Sequence, residues 1–408
     1  MRRKRTVLYG LVDQGIVSLT SLLVLASAAQ SLNPGKLGLF SIGMASIVSC
    51  VAIVRSMTGE TYLVRVTNFL GQKRDETLVR GESRFAFGLS ICLGLGSSVA
   101  IAIVGLMWSE PRQVLFCSAL AVVPIIAQDC MRHVCIARRR TTPLLGADFL
   151  VLFASVTGIY FVGLRGFGPD IMILTWGVAG TLGSLFVVVS ERVRPSFAGA
   201  FNWLKAIWPS SSAFVVEASL GALVGYAIVV VLGTVSSPAE VAGYRATISV
   251  FGVTSLVINF LRTAILRELS PEGLSRWKYF WTTSALLAGL VLAVSTLTLI
   301  LVLLVPDKWG YAAFGGTWSL VTQFAPWAAV NRMAAGLSVI PLIILRVQGV
   351  AWSATRIRLK LTVPLLLLAP VISSLAGAPG AFMVDTAYYL CITALLMRLA
   401  LPERSGDK

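Results

Sequence analysis

WTTSALLAGLVLAVSTLTLILVLLV, residues 281–305, runs for 25 residues without a charged side chain. About 20 apolar residues in a helix are enough to cross the ~30 Å hydrocarbon core of a bilayer. Lys278 stands just before the run, and Pro306, Asp307 and Lys308 just after it. A helix apolar on every side must be covered by protein or by lipid. Working outward, similar runs occupy residues 7–29, 37–54, 85–108, 114–130, 144–164, 171–190, 211–232, 241–261, 319–345, 361–375 and 382–399. The run at 361–375 is short and holds Pro364 and Pro370.

The composition extends the same reading to the whole chain. Of the 408 residues 56% are hydrophobic and only 13% charged, with a mean hydropathy of +0.84, against roughly 25% charged in a soluble domain. So little polar surface excludes a soluble domain of any size. The expected fold is an all-α integral membrane protein of about twelve transmembrane helices. The first thirty residues imitate a signal peptide, with Arg2, Arg3, Lys4 and Arg5 before an apolar run and Ala26-Ser27-Ala28 after it. Asp13 interrupts that apolar core, and cleavage would leave the later runs unexplained, so the segment is expected to be the first helix.

Charge sets the orientation. With both termini in the cytoplasm, 28 of the 34 basic residues fall on the cytoplasmic side, whereas the external loops hold only Lys36, Arg112, Arg165, Arg245 and Lys308. Arg332 falls inside a span. Positively charged loops stay inside, and one missed helix would invert every later loop and destroy the asymmetry. The net charge of +16 then serves an anionic lipid surface and not a nucleic acid. Membrane lipids are the expected partners at that surface.

A shift of 204 residues superposes Asp13 on Glu217 and Pro34 on Pro238, and brings Arg55 within a helical turn of Arg262. This points to two six-helix lobes related by a parallel pseudo-two-fold repeat, a plan of membrane transporters. The expected division is an N-lobe at 1–195, a cytoplasmic interfacial linker at 196–210 and a C-lobe at 211–408. In the linker, Phe197, Phe201, Leu204 and Trp208 share one helical face, with Trp203 and Lys205 off it, as in a helix lying in the membrane interface.

Charges inside spans carry the functional expectation, because an arginine at the bilayer centre costs about 2.5–3.5 kcal/mol. Arg332 follows Asn331 near the middle of its span. It is expected either to face a water-filled cavity and receive an anion, or to pair with Asp13, Glu217 or Asp129. Arg55 and Arg262, with Asn259 one turn before the latter, are candidates for a paired anion site near the cytoplasmic mouth. Asp13 and Glu217 either bind a proton or cation and couple transport to a gradient, or bridge to Arg55 or Arg262 as a gate. Asp129 and Asp148 are read as interfacial and Asp385 as near an outer end, with no role assigned. The six cysteines lie in or beside apolar runs, and His133 is the single histidine. Neither a disulfide framework nor a metal site is implied. No Gly-x-x-x-x-Gly-Lys-Ser/Thr loop is present, so neither nucleotide nor other cofactor is expected.

Asp13-Gln14, the turn followed by Leu37-Gly38-Leu39-Phe40, Arg55, and Gly59-Glu60-Thr61-Tyr62-Leu63-Val64-Arg65 together resemble the Wzx-type polysaccharide and O-antigen flippases of the multidrug/oligosaccharidyl-lipid/polysaccharide (MOP) exporter superfamily. Thr61 stands where that family has proline, and Tyr62 replaces an aliphatic residue. The resemblance implies two six-helix bundles working by alternating access in the bacterial cytoplasmic membrane. It also implies a polyprenyl pyrophosphate-linked oligosaccharide as substrate, destined for cell-surface polysaccharide, with glycan polymerase or assembly proteins as further partners. Arg332, Arg55, Arg262 and Asn259 suit a pyrophosphate chemically, because guanidinium forks match phosphate oxygens. Rival readings are an ion-coupled multidrug or metabolite exporter of the same superfamily, a membrane glycosyltransferase or polymerase, and a scaffold for glycan assembly. The short external loops, the longest at 306–318, speak against the enzyme.

Overall fold

Backbone amides in lipid must find partners within their own segment, which leaves helices as the form for apolar spans. The computed structural model describes residues 2–69, 76–254, 277–347 and 351–401 and is helical over almost all of them. In chain order the helices are α1 (Arg2–Ser31), α2 (Pro34–Met57), α3 (Gly59–Phe69), α4 (Glu76–Met107), α5 (Arg112–Arg138), α6 (Thr141–Leu164) and α7 (Pro169–Glu191). They continue as α8 (Ala200–Val235), α9 (Pro238–Val250), α10 (Trp277–Leu304), α11 (Asp307–Phe314), α12 (Trp318–Val347) and α13 (Ala351–Ala400).

Nine helices among the described residues are long and apolar enough to cross a bilayer. α1 is not counted with them, its apolar part being the shorter Gly15–Ser31. α9 is described only as far as Val250. The rest of the expected span 241–261, with Asn259 and Arg262, lies outside the described residues. α13, at 50 residues, is too long for one crossing, and Gly377 breaks it at φ 59°, ψ −142°. That backbone region is essentially closed to residues with a Cβ. Just past the break, the Ala378 amide donates to Glu240 Oε2 at 2.6 Å, so a carboxylate caps the restarting helix. Spans eleven and twelve of the sequence reading are thus the two arms of α13. Gly377→Ala is expected to destabilise by about 1–3 kcal/mol, read as a lower melting temperature in detergent. Gly15→Ala, whose new methyl meets open space, should be neutral or slightly stabilising.

The chain divides into two compact units, Met1–Val230 and Val231–Lys408, and the division falls inside α8. In the first unit α5 is the hub, packed by α2, α3, α4 and α7, while α1 joins through α6. Small residues permit the close approach. A Cβ on Gly177 of α7 would sit 2.8 Å from Ala121 of α5, and one on Gly43 of α2 would sit 2.6 Å from Val114. In the second unit α12 is the hub, packed by α9, α10 and α13. The Tyr244 and Phe382 rings lock α9 to α13 at 4.5 Å.

The linker helix runs without interruption into span seven as α8. Trp203 and Ile207 are buried with Tyr62, Phe87 and Val134, whereas Phe197, Phe201 and Trp208 stay exposed. An exposed aromatic face is what an interfacial helix offers to lipid. Several basic residues that the charge tally placed in loops lie within helices, and two of them join clusters of charge. Arg132, counted as cytoplasmic, is buried within α5, and Arg245, counted as external, lies within α9. Arg132 follows the end of the run 114–130 and the helix continues past it, whereas Arg245 lies inside the run 241–261 itself.

Candidate functional site

On α5, Asp129, Arg132 and His133 follow at intervals of three and four, which puts them on one face. Arg132 is 4% exposed, and its fork serves three carboxylates. Nη2 donates to Asp13 Oδ2 of α1 at 2.8 Å, Nε lies 2.9 Å from Asp148 Oδ1 of α6, and Nη1 lies 3.6 Å from Asp129 Oδ1. Arg55 of α2 grips Asp129 with one edge of its guanidinium, Nε to Oδ2 at 2.9 Å and Nη2 to Oδ1 at 2.6 Å. Gln128 donates to Asp148 Oδ1 at 3.2 Å. His133 Nδ1 lies 2.9 Å from the Asp129 carbonyl oxygen, and its ring presses on Gly59, where a Cβ would meet Cγ at 2.6 Å. Only glycine lets α3 start that close to α5.

Buried ions survive in low dielectric when each is paired and hydrogen-bonded, because the desolvation penalty is several kcal/mol per ion. Here the pairing is dense and still unequal. Three aspartates face two arginines, one negative charge in excess before His133 is considered. Arg55 differs from Arg132 in access: its side chain is 35% exposed against 5%, and Asp129 takes its Nε–Nη2 edge.

The second unit has a different balance. Asn331 of α12 donates to Asp385 Oδ2 of α13 at 2.9 Å, and Thr386 Oγ1 lies 3.5 Å away. The other side-chain oxygens of Asn331 and Asp385 are buried without a hydrogen-bond partner, as is Arg332 Nε. Arg332 is within electrostatic reach of Asp385, Tyr244 and Tyr389, and Arg245 joins the same group. Among the described residues no carboxylate closes on Arg332 to ion-pair distance. Two arginines and one aspartate thus meet around unpaired polar atoms, an arrangement that favours an incoming anion.

The sequence-derived candidates fall into three groups. Asp13 and Arg55 are brought into one network, though through Arg132 and Asp129 and not by pairing with each other. Arg332 lies in its own cluster in the second unit, while in the first unit Asp13 is held by Arg132 and Asp129 by Arg55. Glu217 is half-buried in α8, and Arg262 and Asn259 lie outside the described residues. The sequence reading missed Arg132, Asp129, Asp148, Asp385 and Arg245. Asp129 and Asp148 are not interfacial but 5% and 3% exposed, and Asp385 is likewise buried. A signal for some of them was present: a shift of 202 residues superposes Pro124 on Pro326 and Asp129 on Asn331, matching the hub helix of one unit to that of the other.

No known family and no curated protein matches the sequence. Solved structures match its fold along nearly the whole chain. An inward-facing multidrug resistance MATE family transporter of the MOP superfamily is similar with a TM-score of 0.68 at 12% identity, over 96% of this chain and 97% of that one. A eukaryotic MATE transporter is similar at 0.60 and 12%, over 98% and 95%. The lipid II flippase MurJ, in an inward closed conformation, is similar at 0.57 and 10%, over 96% and 87%. The protein is an all-α, multi-pass membrane protein with the two-lobed fold of these transporters.

Proposed function

We propose that the protein is a flippase of the bacterial cytoplasmic membrane that moves a polyprenyl pyrophosphate-linked oligosaccharide for cell-surface polysaccharide assembly. The observation that carries this reading is Arg332, a cation in the middle of a spanning helix whose Nε is buried without a partner. An intramembrane guanidinium without a matched carboxylate favours an anionic guest, and phosphate oxygens fit its fork. The partly exposed Arg55 offers a second anchor, with Arg262 and Asn259 as further candidates. A lipid tail left in the bilayer while the head enters a polar site agrees with a fold also found in a lipid II flippase.

Asp13 and its network serve the energy coupling in this reading. The excess negative charge among Asp13, Asp129 and Asp148 attracts one proton or monovalent cation, and Glu217, which the 204-residue shift superposes on Asp13, is the second candidate for coupling. Asp13→Asn is expected to leave substrate binding within about twofold while flipping no longer responds to an imposed ion gradient. Proteoliposomes with and without the gradient check this, and an unchanged gradient response removes Asp13 from coupling.

The acidic excess and the likeness to multidrug MATE transporters favour a second reading, an ion-coupled multidrug or metabolite exporter. Purified protein titrated with a polyprenyl pyrophosphate-linked sugar and, separately, with a hydrophobic organic cation separates the two. Binding and flipping of the pyrophosphate lipid are the expected result. Binding of the cation alone hands the function to the exporter.

A further inference from the structure

The end of the first unit that the charge asymmetry assigns to the cytoplasm carries a rim of arginines that neither reading above uses. α5 ends at Arg139 and α7 ends at Arg192, and both cap residues have positive φ, 57° and 51°. Glycine occupies such caps at the lowest cost, and a side chain held there is strained. Two adjacent helices nevertheless both place an arginine at this position, with Arg140 and Arg194 beside them.

The next segment is fixed and does not hang free. The Ser196 amide donates to the Arg84 carbonyl at 3.0 Å, and the Ser196 carbonyl lies so close to Gly88 of α4 that a Cβ there would overlap it at 2.2 Å. Val193 is fully buried. This anchoring holds exposed Arg84, Arg192 and Arg194 along one edge, joined to Arg139 and exposed Arg140. The nearby acids are already engaged. Glu191 pairs with Arg138 at 2.7 Å and reaches Arg140 at 3.8 Å, and Glu82 is held by Arg65 at 3.0 Å and by the Trp203 indole. The rim is left with guanidinium groups to offer. Immediately after it, Phe197 and Phe201 present exposed rings, the kind of side chain that meets the headgroup region at a membrane interface.

We infer that this rim is a binding site for the phosphate headgroup of an anionic glycerophospholipid of the cytoplasmic leaflet, with the adjacent phenylalanines contacting its glycerol and acyl region. Guanidinium forks take phosphate oxygens two at a time, and a basic side chain near an anionic bilayer surface strengthens attachment severalfold. A lipid seated there bridges the ends of α5 and α7 to the segment leading into α8.

The test uses purified full-length protein carrying Arg139→Gly and Arg192→Gly together. Glycine suits the positive-φ caps, so the variant loses two guanidinium groups without losing its fold. Native mass spectrometry after incubation with phosphatidylglycerol or phosphatidylcholine reads the lipid retained. Wild type is expected to retain phosphatidylglycerol selectively, and the variant to bind it about thirtyfold more weakly, the value of two basic residues at an anionic surface. Melting in phosphatidylcholine should be unchanged or raised, while the gain from added phosphatidylglycerol disappears. Equal retention of the two lipids by wild type, or undiminished phosphatidylglycerol on the variant, overturns the inference. Displacement of the lipid by inorganic phosphate at equal concentration overturns its assignment to a lipid.

Discussion

Arg132→Ala is expected to destabilise the protein by about 3–5 kcal/mol, the loss seen when one partner of a buried ionic group is removed. Total stabilities of about 5–15 kcal/mol make that a loss of a fifth or more. The reason is geometric. One guanidinium meets Asp13 at 2.8 Å, Asp148 at 2.9 Å and Asp129 at 3.6 Å, and its removal leaves buried carboxylates without a counter-charge. Lysine has a single ammonium and no fork, so Arg132→Lys should restore only part of the loss. Combining Arg132→Ala with Asp13→Asn and Asp148→Asn removes the repelling charges along with their partner and should recover much of the stability. The recovery measures the coupling energy as a mutant cycle. Thermal unfolding in detergent and the yield of folded protein are the readouts. A single variant that melts with wild type would mean that the three aspartates do not depend on Arg132.

Arg332→Ala should do the opposite on both axes. Its guanidinium closes on no carboxylate among the described residues, so little native pairing is lost, and removing an incompletely paired cation from a spanning helix relieves a desolvation cost. Stability is expected to stay level or rise. Binding of the pyrophosphate lipid is expected to weaken ten- to a hundredfold, about 1.5–3 kcal/mol for hydrogen bonds to a charged group. Arg332→Lys, which keeps the charge and loses the fork, should fall between. The contrast with Arg132 is the discriminating measurement. If Arg332→Ala instead melts early and the folded fraction binds substrate as wild type does, Arg332 holds the C-terminal unit together and receives nothing.

The two arginines occupy comparable places, each on the hub helix of its unit, α5 or α12. Their surroundings give them different tasks. Arg132 is enclosed by acids delivered from α1 and α6, whereas Arg332 meets Asn331, two tyrosines and one aspartate that Asn331 already engages. Asparagine at 331 where the first unit has Asp129 removes one negative charge, and with Asp385 in place of three aspartates the balance tilts the second cluster toward anions.

Apolar runs of membrane-crossing length, separated by turns alternately rich and poor in basic residues, determine by themselves that this chain is helical and multi-pass, because lipid allows few other backbone solutions. Arg332 was legible for the same reason: a charge in mid-span stands out against a uniform background. Asp129, Arg132 and Asp148 were not legible, since each sits near the end of a hydropathy run, where a loop and a buried network read alike. What separates the two is whether other helices arrive to cover them, and the acid that meets Arg132 comes from 119 residues earlier in the chain. The tertiary structure decided that, through the packing of α1 on α6 and of α2 on α5. Burial and pairing of a charge are properties of the neighbours it acquires, which no local window of sequence contains.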